Sequence, residues 1–227
     1  MLHHPRPHPR YLLGYPLRSY WMIRMSDRLL HTLEKYLPED VASYAHSLLW
    51  QYGIQLHIKK PRKTKLGDYR PPEKGEPHRI SINNNLNQYS FLVTFLHETA
   101  HLINFEKNGF KVQPHGLEWK REFQTISAPI LNPDLFPVEL YSALQKYLNN
   151  PKASSCTSPE LVRVLRKYDE ADGDSVLLEM LPLNAEFYID ERLFVRGNKM
   201  RSRYRCMEQS SGKWYFVPGL MEVVPKV

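Results

Sequence analysis

His97-Glu98-Thr99-Ala100-His101 is the segment of this 227-residue chain whose residue types and spacing can do chemistry. On a helix the two imidazoles stand about 40° apart and one turn from each other, on one face. Two ring nitrogens so placed can bind one Zn2+ at about 2.0–2.1 Å each. Glu98 follows the first histidine, turned aside, where it can reach a water held at the metal as general base. A catalytic site of this kind needs three protein donors and one open position. His115 stands fourteen residues after His101, in Pro114-His115-Gly116-Leu117-Glu118-Trp119-Lys120, past a glycine-stopped helix end that lets the chain turn back. Glu118 and Glu122 are the competing donors, and His115 is favoured. The isolated His31, His46, His57 and His78 read as surface or internally satisfied residues. No Ser/His/Asp set, phosphate-cradling glycine loop or nucleophilic cysteine stands out.

The motif needs a helix to carry it, and the pattern over 87–108 predicts one, ended by Asn108-Gly109. Ser90, Val93 and Asn104 share the histidine face, whereas Leu92, Phe95, Leu96, Leu102 and Ile103 lie opposite. An amphipathic helix presenting both imidazoles to a cleft is therefore expected. Further helices are predicted over 27–36 (capped by Ser26 or Asp27), 39–52, 116–126, 137–148 and 159–168. Alternation places strands at 54–58 and 79–83, with a short one near 66–70 inside an exposed basic excursion. From Val176 the pattern turns to short strands at 176–180, 185–189, 192–196, 201–207 and 213–217. Gly197-Asn198 and Ser211-Gly212 are the expected turns. The fold class is α+β: a helical domain with a small sheet over 26–150, a linker with a short helix over 151–175, and a β-rich appendage over 176–227.

Composition bounds the function. The chain is 42% hydrophobic and 24% charged, which excludes collagen-like, mucin-like and wholly disordered classes. No apolar run is long enough for a membrane span, and no signal peptide is evident. Two cysteines, Cys156 and Cys206, form no disulfide framework and fit a reducing, cytoplasmic setting. Residues 1–24 carry Arg6, Arg10, Arg18 and Arg24 without an acid, and read as a disordered arm or an extension upstream of a start at Met25. The net charge of +7 is uneven: these residues, 59–79 and 192–205 carry +4, +5 and +6, against −8 over the rest of the chain. The last patch lies beside Tyr204, Trp214, Tyr215 and Phe216, and cations interleaved with aromatics suit single-stranded nucleic acid. Lys199, Arg201, Arg203, Arg205 and Trp214 are the candidate contacts.

HETAH at 97–101 followed by PHGLEWK at 114–120 resembles the SprT-like family, the SprT/Spartan type of zinc metallopeptidase. The order of helices and strands ahead of the motif is also similar, over about residues 26–150. The resemblance implies a zincin-like fold with one catalytic zinc on His97, His101 and His115, and Glu98 as base. It also implies protein substrates, DNA-associated proteins among them. Many members end in a four-cysteine zinc ribbon. Here only Cys206 stands near such a position, so the appendage is expected to be ribbon-like and metal-free. The alternative is a zinc-containing nucleic-acid-binding protein with little peptidase activity.

Overall fold

The computed structural model describes residues 28–62, 64–73, 75–152, 158–169 and 175–226. The expected N-terminal arm, the cap at Ser26 or Asp27, Cys156 and the loop at 170–174 lie outside them.

Two hydrophobic cores organise the chain. The first gathers α1 (28–33), α2 (Glu39–Gln51), β1 (Ile54–Lys59), β2 (Gly67–Arg70), β3 (His78–Asn83), α3 (Gln88–Asn108), α4 (Leu117–Ser127), α5 (Val138–Asn149) and α6 (Pro159–Arg166). Its sheet has the order β1-β3-β2, with β1 parallel and β2 antiparallel to β3. Pairing on one side only makes β2 an edge strand. The basic excursion that contains β2 is pinned rather than loose. Arg62 donates to Asn83 Oδ1 at 2.7 Å and to Ser81 Oγ at 3.0 Å, so a guanidinium fork ties the connection to β3.

The motif helix α3 starts at Asn87, whose Oδ1 accepts from the N–H groups of Tyr89 and Ser90 and satisfies two free donors of the first turn. It ends at Gly109, whose φ of 59° lies in the left-handed region that glycine enters without a Cβ penalty. The amphipathic helix expected from the sequence is instead enclosed: every residue from Phe91 to Ala100 is buried. The reason is that α4 covers one side while β2 and β3 cover another, so its less apolar face also lies inside.

Helix α6 also belongs to this body. Leu161, Val164 and Leu165 enter the first core, and the Asn87 amide donates to Leu165 O at 3.0 Å. Its outer face bonds the second unit through Arg163–Glu179, at 2.5 Å, and Arg166–Glu222.

That second unit holds β4 (Val176–Leu177), β5 (Glu186–Ile189), β6 (Arg192–Met200), β7 (Arg203–Glu208), β8 (Trp214–Pro218) and β9 (Glu222–Pro225). They form an antiparallel sheet in the order β4-β9-β5-β6-β7-β8, around Leu178, Phe187, Phe194, Tyr204, Cys206, Val217 and Val223. The expected strand at 176–180 is two strand residues followed by a 3-10 turn. The expected turn at Gly197-Asn198 is not one: β6 runs through it with a register shift between Arg196 and Lys199, and the chain reverses after Met200. Glycine is needed at 197 for closeness, since a Cβ there would lie 2.2 Å from Arg205 O. Ser211-Gly212 does turn, with Gly212 at a φ of 67°.

Candidate metal centre

The helical spacing of His97 and His101 brings their Nε2 atoms to 3.2 Å. The turn after Gly109 returns the chain so that His115 Nε2 stands 3.3 Å from that of His97, and the three donor atoms lie within 4.8 Å of one another. For bonds of about 2.0–2.1 Å, the edge of a tetrahedron is about 3.3 Å, so both short separations fit a tetrahedral zinc with three nitrogen donors. Glu122 is turned away and bound by Lys107 Nζ at 2.8 Å. Glu118 is not part of the cluster either, so of the three candidates for a third donor it is His115 that joins the pair.

Trp119 forms the floor of the cluster. It is fully buried, and its ring centroid lies 4.7 Å from that of His97, 5.4 Å from His101 and 4.9 Å from His115. Phe123 stacks on Trp119 at 5.2 Å and continues the wall along α4. Helical spacing over 116–126 sets Trp119 and Phe123 on one apolar face, but nothing in that spacing marks the indole as a platform for three imidazoles.

Burial sets the protonation of the site. It pushes His97 down to about 3 and His101 to about 4, with repulsion among the imidazoles adding to the shift, and it lowers His115 as well. Neutral imidazoles with free lone pairs are what a metal needs. Glu98 moves the other way. Burial raises its carboxyl to about 7 and the charge of Asp68 adds to this, while the Tyr69 N–H, Arg62 and Lys65 favour the anion. The glutamate lies against β2, whereas the histidines pack on α4. His78 is internally satisfied, between Tyr69 at 3.0 Å and Glu106 at 3.1 Å.

The second candidate set lies on the β unit. Tyr204 and Cys206 point into its core, so alternation turns Arg203 and Arg205 outward. Arg205 stacks over Trp214, 4.0 Å from the ring centroid, beside the half-exposed Phe216 with which it pairs in register. Lys199 lies 6.0 Å over Tyr204, and Arg201 occupies the β6–β7 turn at a φ of 58°. The structure thus brings Arg203, Arg205 and Trp214 onto one face and leaves Arg201 in the adjoining turn, whereas Lys199, paired with the inward Tyr204, lies on the opposite side of the sheet.

An α+β domain with an enclosed HExxH helix and three converging imidazoles is of the zincin-like class. Residues 42–141, from α2 into α5, match the model of the SprT-like family. The family is associated with zincin-like metallopeptidases and is usually zinc-dependent. No curated protein and no solved structure matches the chain. Among the described residues no helix is long and apolar enough to cross a membrane.

Proposed function

We propose that the protein is a zinc-dependent endopeptidase of the SprT type. The observation that carries the reading is the convergence of His97, His101 and His115 at tetrahedral spacing, with Glu98 held beside them on the same helix. Bound by these imidazoles, zinc supplies Lewis acidity towards a peptide carbonyl and lowers the pKa of a water. The imidazoles stay neutral at pH 7 because burial disfavours their cations. Trp119 fixes their orientation from below. Glu98 takes the proton from the attacking water on a carboxylate oxygen and returns it to the nitrogen of the leaving amine. A carboxyl raised to about 7 suits both halves of that exchange near neutral pH.

Purified protein should carry about one zinc, and His97→Ala much less. Glu98→Gln should keep the metal and lose cleavage of labelled casein, assayed with and without single-stranded DNA. A wild type that holds zinc and cleaves nothing under either condition overturns the peptidase reading.

A nucleic-acid contact on the β unit is a second part of the proposal, supported by the Arg205–Trp214 stack with Arg203 and Phe216 beside it. Cations meet phosphates there and rings meet bases. Binding of a labelled oligonucleotide should weaken steeply with salt and fall with Arg203→Ala/Arg205→Ala; a salt-insensitive signal removes this part. The metal domain and the β unit then divide the work between chemistry and location.

A further inference from the structure

The most crowded point next to the proposed base is a glycine. A Cβ built on Gly67 would lie 2.5 Å from Thr94 Cγ2, 2.8 Å from Glu98 Oε1 and 2.9 Å from Glu98 Cγ. Non-bonded carbons rest at about 3.5–4.0 Å, so no larger residue fits without moving one of these side chains. Backbone conformation does not demand glycine here, because Gly67 is not among the positive-φ residues, unlike Gly53, Gly75, Gly109 and Gly212. The space taken by Glu98 and Thr94 does.

The strand register adds a second restraint. Asn83 N donates to Leu66 O at 2.9 Å, and the pairing continues as Gly67 with Ile82 and Tyr69 with Ile80. Bonded and non-bonded pairs alternate along an antiparallel ladder, so Gly67 and Tyr69 turn their N–H groups away from β3, to the free edge of the sheet. The Tyr69 N–H acts on the Glu98 carboxylate from that edge and favours its anion. The histidines pack on Trp119 on the α4 side, whereas Gly67 of β2 meets Glu98 and Thr94.

We propose that Gly67 is a positioning residue for Glu98: its missing side chain lets the edge strand β2 close on the glutamate and set its carboxylate on the side of the Tyr69 N–H. This rests on Glu98 being the base, and the test has one arm with activity and one without.

In the first arm, Gly67→Ala should keep the zinc content of wild type and leave KM within about twofold while kcat falls about 10- to 100-fold, the pattern of a group lost only from the transition state. Tyr69→Pro removes the same restraint at a site where proline is tolerated, on an edge strand with its N–H facing outward. It should lower kcat further than Tyr69→Ala, which keeps the N–H and loses the ring. In the second arm, thermal unfolding of the zinc-free protein should show Gly67→Ala lowering Tm by about 5 °C. That loss should largely vanish in a Thr94→Ser/Glu98→Ala background, where the crowding atoms are gone. Wild-type kcat in Gly67→Ala, or an equal Tm loss in both backgrounds, overturns the proposal. A wild type without peptidase activity overturns the enzyme reading instead, and the Tm cycle alone then decides whether Gly67 holds Glu98. Should Gly67→Ala not fold by itself, its folding in the Thr94→Ser/Glu98→Ala background supports the contact, and failure there too overturns it.

Discussion

Trp119 stands 4.7 Å from His97, ring centroid to ring centroid, and has no exposed surface of its own. An indole so placed both fills the core beneath the metal site and limits how far the imidazoles can rotate. Trp119→Ala should therefore do two things. Stability should fall by about 3–5 kcal/mol, as for other large-to-small changes in a core. Zinc affinity should fall by about 10- to 100-fold, the usual cost of removing a group that orients metal ligands. Trp119→Phe should recover most of the second loss. Chelator competition measures the affinity and denaturant unfolding the stability; unchanged affinity in Trp119→Ala would reduce the indole to packing.

Acid should destabilise the metal-free protein earlier than a neutral core would allow. An unfolded histidine titrates at about 6.5, whereas burial holds folded His97 at about 3 and His101 at about 4. Between these values the unfolded chain binds protons that the folded chain refuses. This stabilisation is complete above about pH 6.5 and is lost as pH falls through that window. Glu98 opposes it. Raised to about 7 in the fold, from about 4.3 in the unfolded chain, it makes stability decline as pH rises between those values. Two deeply depressed histidines outweigh one glutamate, so Tm of the zinc-free protein should rise from pH 5 to 7. In Glu98→Gln the rise should be steeper, because the opposing group is gone. Thermal scans across that range check both signs.

Gly197→Ala should destabilise the β unit. In a strand interior this exchange ordinarily helps by about 0.5–1 kcal/mol, through the entropy of the unfolded chain. Here the added carbon would meet Arg205 O at 2.2 Å across the β6–β7 pair. A cost of about 1–3 kcal/mol is expected, as for other overpacked sites, and chemical denaturation should show it as a lower midpoint.

The same glycine shows what local composition leaves open. Gly197-Asn198 has the composition of a hairpin turn, and only the cross-strand backbone shows that closeness, not reversal, selects glycine there. Gly67 is similar: a glycine inside a short strand signals a close approach, but not to which side chain. Local signals carried far elsewhere. Asn87 and Gly109 bound the motif helix, and His97, His101 and His115, picked out by their spacing, lie together. The enclosure of α3 was hidden because its histidine face reads as polar until α4 packs on it. The strand Glu222–Pro225 carries no clear sequence signal, because four residues ending in proline give too little alternation. The structural weight of α6 was hidden by the linker composition ahead of it, although Leu161, Val164 and Leu165 form an apolar stripe at helical spacing.

Helix α6 also carries the last prediction. It anchors in the first core through that stripe and reaches the β unit through Arg163–Glu179 and Arg166–Glu222, with Arg166 also donating to Ser175 O at 3.0 Å. Each exposed pair alone contributes about 0.2–1 kcal/mol, too little for one deletion to matter much. Reversing both charges is different, because Arg163→Glu/Arg166→Glu sets like charges opposite each other at both contacts. Calorimetry of wild type should then show the two units unfolding together. The double reversal should split off an earlier transition for the β unit, and adding Glu179→Arg/Glu222→Arg should merge them again. A single unsplit transition in the double reversal would mean that packing, and not these pairs, joins the two units.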